Sequence, residues 1–271
     1  MSLLPKQPNN GPGFAPARCS LKHRNRGFPA WPSGCVVLLL LCSGLARPVA
    51  QPIDGDAVIA PLAKQSLLLD IHGRGERALA VGEHGHVLLT TDSGRGWRQV
   101  PAPTRRMLMG VHLVDDRVAR AVGHQSVILK SGDGGETWAK ANAENDPEAD
   151  GREAAYLDVL FLDGKTGFIV GSYGKLLATR NGGRNWAEAK QEDDPHFSHI
   201  TPAPDGSLWL CGEYGTVWRS PDSAANWQPR MTPYQGTFFG VMPLAKGGAV
   251  VFGLRGNIFR SEDGTEWEQV E

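Results

Sequence analysis

The stretch VGHQSVILKSGDGGETW, Val122–Trp138, runs from a Gly-containing turn through a short apolar strand and a polar turn to a tryptophan. The same order recurs in VGEHGHVLLTTDSGRGW (Val81–Trp97), VGSYGKLLATRNGGRNW (Val170–Trp186), CGEYGTVWRSPDSAANW (Cys211–Trp227) and FGLRGNIFRSEDGTEW (Phe252–Trp267). The leading glycines Gly82, Gly123, Gly171, Gly212 and Gly253 lie 41, 48, 41 and 41 residues apart. A period of about 40–45 residues is that of one four-stranded propeller blade. The sequence therefore predicts an all-β propeller over residues 47–271, with repeats ending at Trp97, Trp138, Trp186, Trp227 and Trp267.

Within a unit, short runs of alternating polarity between Gly-rich turns give the strands. The first strands are expected at Leu67–Ile71, Gly110–Val114, Asp158–Leu162, Ser198–Thr201 and Phe239–Met242. Asp146–Arg152 reads as a loop insertion that lengthens the second interval. Five blades are visible, and the array reads as incomplete or truncated, or as a five-bladed ring closed in another way. Ala57–Leu62 is expected to be a lone outer strand of a final blade.

The polar turn contains Asp92, Asp133, Asn181, Asp222 or Asp263, two residues after a Ser or Thr. An Asp or Asn oxygen in such a turn accepts backbone N–H groups of its own loop, while Gly supplies left-handed conformations. Repetition of the group at every blade argues for scaffold rather than catalysis, and the Trp is expected to fill apolar space between blades. The turn resembles the Asp-box of bacterial neuraminidase repeats, with Ser131–Trp138 as the fullest match. The fourth copy departs by carrying Ala224 and Ala225, and the fifth is one residue shorter.

The first 46 residues contain Lys6, Arg18, Lys22, Arg24 and Arg26, no acidic residue, and the apolar run Cys35–Leu45. This is the pattern of a signal peptide with cleavage after Ala46, or after Ala50, or of an unprocessed leader. The run is shorter than the roughly 20 residues of a membrane span. The chain is thus expected to be exported, into a bacterial periplasm. Without the leader, 23 of the 28 basic residues face 29 acidic ones, a net charge near −6 that disfavours nucleic acid as a partner. Cys211 is then the sole cysteine, which leaves no internal disulfide.

In a propeller, the turns joining the second and third strands share a face with the connections between blades, opposite the polar boxes. That rim gathers Glu83, His84, Arg105, Arg106, His124, Tyr173, Glu213, Tyr214 and Arg255, the candidate partner-binding residues, since Tyr and Arg are common interface anchors. Gln125, Ser172, Leu254, Tyr156, His196, His199, Tyr234, Phe238 and Phe239 are expected beside them. His84 and His86 share a strand face by spacing, but no further ligand accompanies them, so neither a metal nor a cofactor is expected. No nucleophile elbow, phosphate loop or zinc-protease helix is present.

The hairpin and box in Ala121–Trp138, repeated over residues 55–271, resemble the photosystem II stability/assembly factor family. The resemblance implies a non-enzymatic propeller that binds a membrane or envelope protein, compatible with peripheral membrane association. Family members use an arginine-rich face, to which only Arg255, Arg105 and Arg106 could contribute here. The alternative is a sialidase-like glycoside hydrolase or a carbohydrate-binding propeller. Against the sialidase, Phe259-Arg260 continues as Ser261-Glu262 rather than as the F/Y-R-I-P segment of those enzymes.

Overall fold

A computed structural model describes residues 55–141, 154–188 and 195–270. The leader and the insertion at 146–152 lie outside the described residues. Sheet I comprises β1 (Leu68–Arg74), β2 (Arg77–Gly82), β3 (Val87–Thr90) and β4 (Arg98–Val100). Sheet II comprises β5 (Leu108–Leu113), β6 (Ala119–Gly123), β7 (Ile128–Ser131) and β8 (Ala139–Lys140). Sheet III follows with β9 (Tyr156–Phe161), β10 (Gly167–Gly171), β11 (Leu176–Thr179) and β12 (Ala187–Glu188). Sheet IV holds β13 (Phe197–Pro202), β14 (Leu208–Gly212), β15 (Val217–Ser220) and β16 (Gln228–Arg230). Sheet V holds β17 (Phe238–Pro243), β18 (Ala249–Gly253), β19 (Ile258–Ser261) and β20 (Glu268–Gln269). Each sheet is an antiparallel meander in chain order. The inner strands β13 and β17 contain the expected first strands, while β1, β5 and β9 overlap theirs with Leu67, Val114 and Leu162 left just outside.

The core is a series of equivalent seams rather than one centre. In every sheet the second and third strands pair at one register position: Val81 with Val87, Val122 with Ile128, Val170 with Leu176, Cys211 with Val217, Phe252 with Ile258. The first four pairs pack, in order, with Val111, Val159, Ile200 and Val241 of the following inner strand. None of these twelve residues is more than 7% exposed. Burying a Val or Ile contributes about 1.5–3 kcal/mol, so these positions hold neighbouring sheets together. Cys211 is one such small apolar side chain, and burial pushes its thiol pKa well above the ordinary value.

The tryptophans of four boxes lie against seams, and that of the first, Trp97, packs on the strap cluster of Ala63, Ala80 and Leu88. Trp138, Trp186, Trp227 and Trp267 contact the clusters between sheets I and II, II and III, III and IV, and IV and V. Arginines reach across the same seams. Arg77 donates to Gly134 O at 2.9 Å, Arg120 to Gly182 O at 2.8 Å and Arg180 to Ser223 O at 3.2 Å, each joining one sheet to the box turn of the next.

Among the described residues the series is not closed by a further sheet: β1 packs chiefly against β2 and β5, and β17 against β13, β14 and β18. Ala57–Leu62 does not form the expected outer strand. It leads into one helical turn, Ala63–Gln65, and lies as a strap on sheet I, with Ala60 and Ala63 over Ala80 and Leu88. Gln99 fastens it, accepting from Ala60 N at 2.7 Å and donating to Val58 O at 2.9 Å, while Ala57 N donates to Ala102 O. Those bonds use the backbone groups that a strand would have needed for pairing.

Candidate functional site

The turns after the leading glycines fold back on the start of their own inner strand. Glu83 N donates to Leu67 O at 3.0 Å, and His124, Ser172, Glu213 and Leu254 make the same bond to Met107, Ala155, His196 and Thr237. The approach is so close that a Cβ on Gly82 or Gly123 would stand 2.0 Å from that carbonyl oxygen. Glycine is needed there for contact distance; the left-handed residues of the turn come two positions later. His84, Gln125, Tyr173, Tyr214 and Arg255 occupy them with φ of 56°, 52°, 57°, 58° and 62°. Bulky side chains in this region are strained, and such strain collects at functional sites.

The structure divides the rim residues into two groups. Glu83 accepts Leu67 N at 2.9 Å, and Glu213 accepts His196 N at 3.1 Å; Ser172 takes the same role for Ala155 N. Arg105 donates to Asp56 O and Arg106 to Gln125 O, so both are tied to backbone. His84, His124, Tyr173, Tyr214 and Arg255 project as exposed tips, Tyr214 at 71%. His84 and His86 do not share a face. Their segment is a turn rather than a strand, and it leaves His84 exposed and His86 buried. Tyr156 and Phe238 are buried in seams instead of lining the rim, because each begins an inner strand. His199 also leaves the rim, for the interior of β13.

Between the tips opens a mouth that rim residues alone do not define. Leu69, Met109, Leu157, Ser198 and Phe239 are the second residues of the five inner strands. They meet around a cavity of about 560 Å³, with Thr237, Leu254, His196 and Glu213 at its edge. Tyr173 packs edge-on against His196, ring centroids 5.2 Å apart. The first four ring residues were missed in sequence. Their signal was a constant place, 13 or 14 residues before the leading glycine, occupied by Leu, Met, Leu, Ser and Phe.

One residue deeper, side chains tie the inner strands together across the central channel. Asp70 accepts Val111 N at 2.7 Å, His72 accepts Leu113 N at 3.1 Å, Asp158 accepts Ile200 N at 2.9 Å and His199 accepts Val241 N at 3.4 Å. Asp70, Gly110, Asp158, His199 and Gly240 hold one register position. Adjacent inner strands share no ladder, so these bonds satisfy backbone N–H groups that would otherwise be buried unpaired. The rings of His72 and His112 stand 4.2 Å apart. Burial pulls the His112 pKa down to about 4, with His72 adding to the effect, and burial lowers His72 as well. Burial raises the Asp158 carboxyl despite His199, whose Nε2 is 3.8 Å away. The channel groups enclose about 450 Å³. Among the described residues no cluster of three or more His, Cys, Asp and Glu side chains could hold a metal ion.

On the opposite face the boxes are closed hydrogen-bonded turns. Ser131 Oγ accepts Gly135 N at 2.9 Å and donates to Asp133, whose carboxylate also accepts Thr137 N at 3.0 Å. Asp92, Asn181, Asp222 and Asp263 repeat the arrangement with Thr90, Thr179, Ser220 and Ser261. Donors from Thr137 and Ser131 hold the Asp133 pKa near 2, and the Asp263 carboxyl is lowered in the same way by Thr265. Such a carboxylate is committed to its turn, and a pKa that low is remote from general-acid work near neutrality.

Residues 89–270 match the family model described as photosynthesis system II assembly factor YCF48. No curated protein sequence matches the chain. Among solved structures, YCF48 bound to D1 peptide is similar at 18% identity and TM-score 0.60, over 75% of this chain and 68% of that one. YCF48 from Cyanidioschyzon merolae is similar at 21% identity and TM-score 0.59, over 76% of this chain and 72% of that one. The GH74 enzyme of Niastella koreensis is 17% identical with a TM-score of 0.53, over 72% of this chain but 30% of its own. At these identities the structures establish the fold alone, which the enzyme and the assembly factors share. The family model spans most of the repeat array, and the chain belongs to the family of photosynthesis system II assembly factor YCF48.

Proposed function

We propose that the chain is a non-enzymatic, exported scaffold that holds a segment of a membrane or envelope protein on its rim face, in a bacterial periplasm. The observation that carries this reading is the mouth: Leu69, Met109, Leu157 and Phe239, with Ser198, from the same position of the five inner strands, on the face that also carries the exposed tyrosine, histidine and arginine tips. A pocket of this composition suits an apolar side chain of an extended segment, with Tyr173, Tyr214 and Arg255 as rim contacts. The related structure with a bound D1 peptide supports a protein partner. The channel carboxylates Asp70 and Asp158 favour a scaffold over a glycosidase. Both are occupied by backbone N–H groups of the next inner strand.

The test is retention of detergent-solubilised membrane proteins on the immobilised chain, comparing wild type with Leu157→Glu and Met109→Glu. A retained protein lost from both variants, with their urea midpoints unchanged, supports the reading. Equal retention by all three chains, or turnover of fluorogenic glycosides that Asp70→Asn abolishes, overturns it.

A further inference from the structure

Because neighbouring inner strands share no ladder, channel side chains fix how those strands stand beside one another. β1 and β5 have two such ties, Asp70 on Val111 N and His72 on Leu113 N. β9 and β13 have the Asp158 carboxylate on Ile200 N. β5 and β9 meet directly at Gly110, where a Cβ would stand 2.9 Å from Asp158 Cα. Between β13 and β17, among the described residues, the one hydrogen bond runs from Val241 N to His199 Nδ1 at 3.4 Å. An imidazole accepts at Nδ1 only while that nitrogen carries no proton; the imidazolium has two donors and no acceptor. A proton taken up by His199 therefore turns this tie into two N–H groups facing each other. It leaves the amide of Val241, a residue 3% exposed, without its partner.

We infer that His199 is a proton-operated latch on the mouth: on acidification the inner edges of sheets IV and V part, Ser198 and Phe239 separate, and the mouth opens on that side. Both mouth residues are joined to the latch through the chain, since Ser198 precedes His199 and Phe239 lies two residues before Val241. Outside them the seam of Cys211, Val217, Val241 and Val251 stays packed, so the movement is a hinge of inner edges rather than unfolding. The groups facing His199 do not replace the lost acceptor. Asp158 of β9 stands on the far side of the ring, its Oδ2 3.8 Å from Nε2, and its oxygens already accept Ile200 N and Val159 N. β17 carries no titratable side chain and β14 only the Cys211 thiol. Asp70, His72 and His112 line the same cavity, with Arg74 beside His72. A proton on His72 frees Leu113 N but leaves Asp70 on Val111 N, so the side between sheets I and II keeps a tie. His199 is part-buried and opens on the channel, where a proton reaches it. Release of a partner on acidification follows from the latch only together with the mouth-binding reading proposed above, on which that consequence rests.

The test is amide hydrogen exchange of the purified chain, followed by NMR between pH 8 and pH 5 and expressed as protection factors corrected for the intrinsic rate. Val241 should lose about tenfold in protection for each pH unit below the transition, as one-proton linkage requires. Val111, held by the Asp70 carboxylate, and Leu210, inside sheet IV, should keep theirs. His199→Gln, whose amide oxygen can still accept Val241 N, should hold the Val241 value flat, and His72→Gln should leave the wild-type fall in place. Protection at Val241 that ignores pH, or that falls equally in His199→Gln, overturns the inference. So does a parallel fall at Leu210, which would mean that the whole blade loosens. Retention of detergent-solubilised membrane proteins at the two pH values is read separately. The wild type should release at pH 5 what it holds at pH 8, and His199→Gln should keep it. Retention at neither pH strikes the binding reading and leaves the exchange data to decide the latch. Retention by the wild type at both, beside a falling Val241, overturns the opening of the mouth.

Discussion

His112 offers the sharpest test of the channel. Its ring lies 4.2 Å from that of His72 and bonds to the backbone of Phe161, and burial is the main reason its pKa falls to about 4 from 6.5. The unfolded chain therefore takes up a proton near pH 6.5 that the folded chain refuses until about pH 4. Stability from this group is complete above the unfolded pKa and is lost as pH falls toward the folded one. At about 1.4 kcal/mol for each pH unit, the loss is about 3 kcal/mol.

The perturbation is His112→Gln, which keeps a hydrogen-bonding side chain and removes the titration. Urea unfolding, followed by tryptophan fluorescence from pH 8 to pH 4, gives the two profiles. Other titrating groups appear in both, including Asp158, whose raised pKa has the opposite sign and favours the fold as pH falls. The difference between wild type and variant isolates His112. It should start in favour of the wild type, from lost ring packing, and shift by about 3 kcal/mol toward the variant by pH 4. For a domain of this size that is roughly 6–12 °C in Tm. Parallel profiles would refute the reasoning, because they would mean that the imidazole titrates in water and that the channel around it is wet.

Ser131→Ala removes the hydroxyl that accepts Gly135 N in a buried turn and should cost about 1–3 kcal/mol by thermal unfolding. The Asp133 carboxylate, with its pKa held near 2, stabilises the turn above its unfolded pKa. That contribution fades as pH falls from about 4 toward 2, so Asp133→Asn should unfold less differently from wild type at pH 2.5 than at pH 7. Gly123→Ala places a Cβ 2.0 Å from Met107 O and should cost about 3 kcal/mol or more, whereas Gly132→Ala, with open space around it, should change stability by less than about 0.5 kcal/mol. Cys211, fully buried with a raised pKa, should resist a water-soluble disulfide reagent in the native state and react stoichiometrically in urea.

The repeat made the blades legible because its most regular residues are the ones the scaffold uses. Trp138, Ser131 and Asp133 recur for local reasons, each contact being made within a few residues or at the adjacent seam. The channel was not legible. Asp70, Gly110, Asp158, His199 and Gly240 share one position, yet no single residue type marks it. The partners of Asp70, Asp158 and His199 lie 41 or 42 residues away along the chain. The mouth was hidden for a related reason, since Leu69, Met109 and Leu157 look like ordinary strand residues until five strands place them around one axis. Polar residues at turns drew attention to the rim, but Glu83, Glu213, Arg105 and Arg106 turn out to be engaged with backbone.

Two aspartates show why register, rather than residue type, assigns roles in this array. Asp133 and Asp158 both accept backbone N–H groups, yet the first is solvated and strongly acidic while the second is buried and raised. The difference follows from where a blade position falls: at the outer turn, or beside the channel. The same logic bears on the scaffold reading proposed above. A propeller offers its scaffold carboxylates at fixed places, and catalysis needs others that are released from backbone duty and aimed into a cleft. Here the channel acids are held between strands, while the second residues of the inner strands are left to vary at an open mouth. Selection for a partner can change Leu69, Met109, Leu157, Ser198 and Phe239 without breaking a seam or a box. If the chain binds a partner there as proposed, that freedom makes the mouth the surface on which recognition can be tuned.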